Sequence, residues 1–276
     1  MSSAAEYWAE REAEAQARLT AKSVKETEKE LIRYYRRSMS KIIKEFDNTY
    51  KTYIANTFRG LESSPATLYK MDSYWKLQAL MRDELQKLGD KQAELFSREF
   101  IGHYQKIYRQ IALSDGGAFS QITKEAAEQV INQIWCADGS SWSARIWKNT
   151  SQLQAALNDG LIDCVLGGKP ADSLKARLVG EFGVSYNKAD NIVRTELAHI
   201  QTEAARKRYT DRGVKEVEVW ADKDERQCEH CGKLHQTRHP IGGKMPVPAH
   251  PRCRCVLLPV VDIKPYENEQ LKMDGF

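Results

Sequence analysis

Cys228-Glu229-His230-Cys231 is followed nineteen residues later by His250-Pro251-Arg252-Cys253-Arg254-Cys255. Five soft or borderline ligands therefore fall within a window of 28 residues, and four of the six cysteines of the chain are among them. Zn²⁺ needs only four such ligands, arranged as a tetrahedron. Cys228 and Cys231 make a first knuckle. His250 and Cys253 make a second at the same three-residue spacing. Cys255 lies two residues further on, so in an extended strand it shares a side with Cys253 and is a substitute ligand. His230, His235 and His239 are near in sequence but worse spaced. The expected cofactor is one structural Zn²⁺ held by Cys228, Cys231, His250 and Cys253. The alternatives are reduced cysteines packing a small core, or a Cys253–Cys255 redox pair.

A catalytic zinc needs an open position and a general base. Five potential ligands around one ion favour a closed site. Glu229, Asp222, Asp224 and Glu225 are possible bases, but they read better as turn formers and solvated charges. No nucleophile, base and orienting group stand together, so no enzyme is expected. The rival reading is a zinc-dependent nuclease or toxin-like domain using His250 with Glu196 or His199.

These ligands need elements to position them. Val214, Val217, Val219 and Trp220 read as a short strand, and residues 255–261 as another ending at Pro259. The glycines and prolines between them read as loop. A module of this size has too little core to hold itself, and a metal would offset the deficit.

Ahead of the module the chain reads as helical. Leu31, Tyr35, Met39, Ile42, Phe46, Tyr50 and Tyr53 recur at steps of three and four, the stripe of an amphipathic helix. Gly and Pro are absent until Gly60, so one helix spans about 6–58. Its first 25 residues are polar and read as an extended arm or a solvated extension. Gly60 to Pro65 breaks the chain. Further helices are expected over 66–88, 91–113, 119–134, 142–165, 171–182 and 186–209, the last two separated by Gly183. Ser114 to Gly117 and Gly167 to Pro170 read as loops, and the tail from Asp262 as loose. The expected fold class is mainly α, with long N-terminal helices, a helical middle and a small C-terminal α+β module stapled by zinc. The expected divisions are a helical arm at 1–60, a helical region at 61–140, a helical part at 141–212, the zinc module at 213–262 and a tail at 263–276.

The 276 residues suffice for a substantial core. Mean hydropathy is −0.61 and no run approaches the length of a bilayer span, so a soluble chain is expected. The N-terminus lacks an apolar signal-peptide core, so a cytoplasmic, reducing site of synthesis is expected, where cysteines favour metal over disulfides. Net charge is +4, and residues 201–260, with 12 basic and 8 acidic side chains, hold all of it. That permits contact with DNA without establishing it, and non-specific DNA binding by this module is a third reading.

Other stretches have plainer readings. Gly167-Gly168-Lys169 and Gly242-Gly243-Lys244 lack the spacing of a phosphate-binding loop. Cys136 and Cys164 read as small buried hydrophobes, and His103 and His199 as structural. Tyr34-Tyr35-Arg36-Arg37 has the look of a nucleic-acid contact, but its tyrosines fit the apolar stripe.

Residues 185–260 carry a resemblance. Asn191-Ile-Val-Arg-Thr-Glu-Leu-Ala-His-Ile-Gln-Thr-Glu-Ala-Ala-Arg206 is built on an Arg-Thr-Glu core. Gly213-Val214, a strand, the Cys228–Cys231 knuckle and the His250–Cys255 knuckle follow in order. This resembles the C-terminal module of tailed-phage minor head proteins, the head morphogenesis family that includes the F protein of phage Mu. Residues 142–182 resemble the segment preceding that module, and Tyr7-Trp8-Ala-Glu-Arg11 the start of relatives from phages of Gram-positive hosts. Cys231-Gly-Lys-Leu-His235 departs from the Ala-Leu-Asp-Gly-like turn usual there. The resemblance implies a structural role in procapsid assembly, in few copies. The implied partners are the portal protein, scaffold or major capsid protein, and packaged DNA, with no membrane. The implied location is the host cytoplasm during assembly and then the virion head. The stripe with Tyr35, Ile42, Phe46 and Tyr53 is the expected docking face. Arg194 and Glu196, two apart on a helix, are expected to pair elsewhere and to orient the zinc module.

Overall fold

The computed structural model describes residues 4–58, 67, 69–114, 122–166, 170–222, 224–225 and 227–260. The expected break at Gly60 to Pro65, most of the loops at 114–117 and 167–170 and the tail lie outside these residues. The chain is mainly α. Long helices α1 (Ala4–Phe58), α2 (Asp72–Ser114), α4 (Trp142–Leu166) and α5 (Ala171–Asp211) are joined by a short α3 (Lys124–Ile131). The C-terminal part comprises β1 (Glu216–Trp220), a one-turn helix α6 (Glu229–Leu234), β2 (Arg238–Pro240) and β3 (Val256–Pro259). Among the described residues, no helix is long and apolar enough to cross a membrane.

α1 forms as its periodicity predicts, but its stripe faces inward. Leu31, Tyr35, Ile42, Phe46 and Tyr53 are buried against α2 and α5, so the expected docking face is part of the core. The phenol of Tyr35 meets the hydroxyl of Ser185 at 3.0 Å and accepts from Asn149 Nδ2 at 3.3 Å. Its ring meets Phe182 and Tyr186 edge-on. Burial pushes this phenol up to about 12. The polar start of α1 is no free arm either. Gln16, Ser23 and Thr27 are buried, and Ala9 and Ala13 cover Trp220, Val256 and Leu258.

Two expected helix breaks are absent. α2 runs through Gly89, and α5 runs through Gly183. A glycine in a helix costs only about 1 kcal/mol, and packing overrides it. At Gly89 the reason is visible, because an added Cβ would run into the indole of Trp147 on α4. The missing side chain lets the two helices approach. α3 is shorter than the expected helix over 119–134 and is capped by Thr123, whose hydroxyl accepts from Ala126 N at 3.2 Å.

A polar layer crosses the helical core. His103, fully buried, meets Ser23 Oγ through Nδ1 at 3.1 Å and Thr20 Oγ1 through Nε2 at 3.2 Å. Burial drives this imidazole down to about 3.

α5 ends in a Schellman motif. Gly213 has φ +75°, its N–H donates to Thr210 O at 2.9 Å, and Val214 N–H donates to Tyr209 O at 3.0 Å. The left-handed position is open to glycine without a Cβ penalty. The chain then enters β1, the centre of an antiparallel sheet ordered β2-β1-β3. β2 lies where loop was expected. Three residues ending in proline carry no strand pattern, and pairing with Glu216–Glu218 makes the strand.

Candidate metal centre

The first knuckle is a helix cap. Cys228 has extended backbone, and its Sγ accepts from Cys231 N–H at 3.3 Å as the N-cap of α6. That hydrogen bond holds the Cys228 thiol below its ordinary range. The second knuckle is a tight turn closed by Cys253 N–H donating to His250 O at 3.2 Å. Arg252 within it adopts φ +61°.

The two knuckles meet. Cys228, Cys231 and His250 form one group of three, and Cys231, Cys253 and Cys255 another, each with ligand atoms within 4.8 Å of one another. His250 Nε2 lies 3.3 Å from Cys228 Sγ and 3.1 Å from Cys231 Sγ. Cys231 Sγ lies 3.9 Å from Cys253 Sγ. In a tetrahedron with metal–sulfur bonds of about 2.3 Å, neighbouring sulfurs stand about 3.8 Å apart. The Cys/His cluster can hold a metal ion. Cys231 belongs to both groups. Cys253 and the expected substitute Cys255 both converge on Cys231, and all three are buried.

The imidazole is oriented for ligation. His250 Nδ1 lies 2.8 Å from the Pro251 carbonyl. A ring that donates there presents the Nε2 lone pair to the two thiols, the usual outer support of a metal-bound histidine. The same hydrogen bond raises its pKa. The thiols differ in the way crowded acids must. Cys253 is held down to about 5, first by the Cys255 thiol donating to it, while burial pushes Cys231 up to about 12 and Cys255 is raised. For these neighbouring thiols to ionise together, a cation would have to stand between them, which a bound metal ion would supply.

Arginines on either side of Cys253 fix the second knuckle. Arg252 reaches α5, with its Nη2 2.7 Å from Asp190 Oδ2, its Nε 3.2 Å from Asn191 Oδ1 and its backbone N–H 3.3 Å from Thr195 Oγ1. Arg254 turns the other way and pairs with Asp222 and Asp224, each at 2.6 Å. Asp222 and Asp224, expected as solvated charges, are the partners of Arg254. Both arginines beside Cys253 are thus paired internally. This signal was absent from the sequence, since nothing in the spacing pairs 254 with 222.

Arg194 and Glu196 pair elsewhere, as expected, but only one of them bears on the module. Arg194 bonds Asp190 at 3.1 Å and Glu28 of α1, and Asp190 in turn holds Arg252. Glu196 accepts from Trp135 Nε1 at 2.9 Å and pairs with Arg145 of α4, and burial raises its pKa. His199 stacks on Trp135 with ring centroids 4.1 Å apart. Neither meets His250 in the described contacts, so the nuclease set of His250 with Glu196 or His199 is not assembled. Of the remaining histidines, His235 Nδ1 accepts from Ala221 N–H at 3.3 Å, His239 meets Thr237, and His230 is exposed. None is in the cluster. Glu229, exposed, pairs with Lys233 at 2.6 Å, and Glu225 is exposed. Cys136 is half-buried rather than buried. The side chain of Cys164 lies outside the described residues.

Comparison of the chain with protein-family models, curated proteins and solved structures found no match.

Proposed function

We propose that this chain is a minor head protein of a tailed phage, acting in procapsid assembly in association with the portal. The observation that carries the reading is the contact of Arg252 with Asp190, Asn191 and Thr195. The Arg-Thr-Glu helix and the His-Pro-Arg-Cys-Arg-Cys knuckle, which carry the resemblance, are one hydrogen-bonded unit in space. A motif order shared by chance would not require its pieces to interlock. In this reading the ion is Zn²⁺ and its role is structural. It staples the start of α6 to the turn that leads into β3, with Cys228 and His250 at the half-buried edge. The portal, scaffold or major capsid partner does not bind the α1 stripe, which is already buried.

The test is co-expression with the portal and major capsid proteins of the same phage, followed by isolation of procapsids. The expected result is this chain in few copies per particle, retained when the portal is present and lost when it is omitted. Failure to bind either portal or procapsid overturns the reading.

A further inference from the structure

Charge summed over long windows hides a local feature of α1. Residues 31–44 carry five basic side chains and no acidic one. The structure sorts the Tyr34–Arg37 stretch. Tyr35 turns into the core, while Tyr34 and Arg37 line a cleft of about 370 Å³ between α1 and α2. Its walls are Arg37, Ser38 and Lys41 from α1, and Glu84, Lys87 and Lys91 from α2, with Tyr34 at one side. Its volume is in the range of small-molecule sites, about 300–1,000 Å³.

Four cations face one carboxylate. Glu84, buried, is shared by Lys41 at 2.6 Å and Lys87 at 3.9 Å. Asp83, outside the lining, takes Lys87 at 2.5 Å. Lys91 sits over the Tyr34 ring, 5.7 Å from its centroid. Glu30, beyond Tyr34, is occupied by the Tyr34 hydroxyl and by Arg98 and Arg33. Among the described residues, Arg37 and Lys91 have no carboxylate within ion-pairing distance. Two unneutralised cations thus converge from two helices on one enclosed space. A guanidinium fork beside ammonium groups suits the several oxygens and double charge of a phosphate better than the single charge of a carboxylate.

We propose that this cleft binds a phosphate group, with Arg37 and Lys91 as its principal contacts and Lys41, Lys87 and Ser38 completing the shell. The group is carried by free phosphate or a nucleotide, or by a nucleic-acid backbone. The site is separate from the Cys/His cluster and does not rest on the head-protein reading.

The full chain is titrated at low salt with inorganic phosphate, with ATP and with a short DNA duplex, each followed by calorimetry. The expected result is binding of at least one probe, weakened about tenfold or more by R37A/K91A. The control R18A/R238A removes the same charge from exposed arginines paired with Glu14 and Glu218, and leaves binding unchanged. Unaltered circular dichroism and melting show that R37A/K91A is folded. Binding of phosphate or ATP assigns a free ligand, and binding of the duplex alone assigns the backbone. If no probe binds, or the control loses as much affinity as R37A/K91A, the proposal is overturned.

Discussion

Asp190 of α5 holds Arg252 of the second knuckle at 2.7 Å and Arg194 of its own helix at 3.1 Å. Arg194 continues to Glu28 of α1. One nearly buried carboxylate therefore ties the Cys/His module to two long helices. Asp190→Ala removes the shared carboxylate from two guanidiniums, leaving Arg194 with Glu28 and Arg252 with Asn191, and is expected to cost about 1–3 kcal/mol. Thermal unfolding measures the loss. Asp190→Ala combined with Arg252→Ala should cost less than the two single losses added together, and strict additivity would show that the pair is not coupled.

Gly89 and Gly102 lie on the same helix and should respond in opposite directions. An added methyl at Gly89 meets the Trp147 ring, whereas at Gly102 nothing lies within 4 Å. Gly89→Ala is expected to destabilise by about 1–3 kcal/mol through overpacking. Gly102→Ala is expected to stabilise by up to about 1 kcal/mol through helix propensity. Denaturant midpoints compare them directly. Equal shifts would mean that α2 and α4 are not in close contact at Trp147.

Metal content is the direct check on the cluster. Elemental analysis of protein purified without chelator should find about one zinc per chain. Removal of the ion should unfold the C-terminal module, because the binding energy is folding energy there. Cys231→Ser should lower retention more than Cys228→Ser, since Cys231 stands in both ligand groups and Cys255 is available beside it. Metal-free protein with an unchanged melting curve would leave the cysteines as core residues.

His199 gives a clean pH test. Its Nε2 is buried and has no partner among the described residues, and its ring stacks on Trp135. Burial lowers it to about 4, and lowers His103 to about 3. The unfolded chain protonates near pH 6.5, above both folded values. Stability from keeping these rings neutral is therefore complete above about pH 6.5 and is lost as pH falls toward 4 and 3. At pH 5 each histidine accounts for about 2 kcal/mol of loss. His199→Phe keeps the stack and removes one proton acceptor. It should be neutral or stabilising at pH 7 and lose less stability than the wild type at pH 5. Glu196 and Glu203, raised by burial, run the other way, so the comparison with the variant carries the test.

What the sequence made legible was whatever local spacing encodes. The stripe from Leu31 to Tyr53 announced α1, and the two three-residue knuckles announced the ligands. Glycine is a weak signal inside long helices: the gap expected between 88 and 91 and the separation expected at Gly183 are both absent, because a cost of about 1 kcal/mol is small beside the packing of a long helix. Partners distant in sequence left no local trace. Arg254 with Asp222 and Asp224, Glu196 with Arg145, and the covering of Trp220 by Ala9 and Ala13 all depend on the fold. The orientation of the α1 stripe was equally hidden, because an amphipathic face looks the same whether its cover is the same chain or another.

Gln16 donates to the Tyr209 hydroxyl at 3.2 Å, and that hydroxyl donates to the Leu257 carbonyl at 3.1 Å. During synthesis the first turns of α1 leave the ribosome long before residue 257 exists. Their apolar cover is therefore made long after they are. Loop closure over such a distance is slow compared with helix formation. The start of α1 thus stays uncovered while the chain is incomplete, and nascent chains arrested before β3 should expose Ala9 and Ala13 to proteases that spare the finished protein.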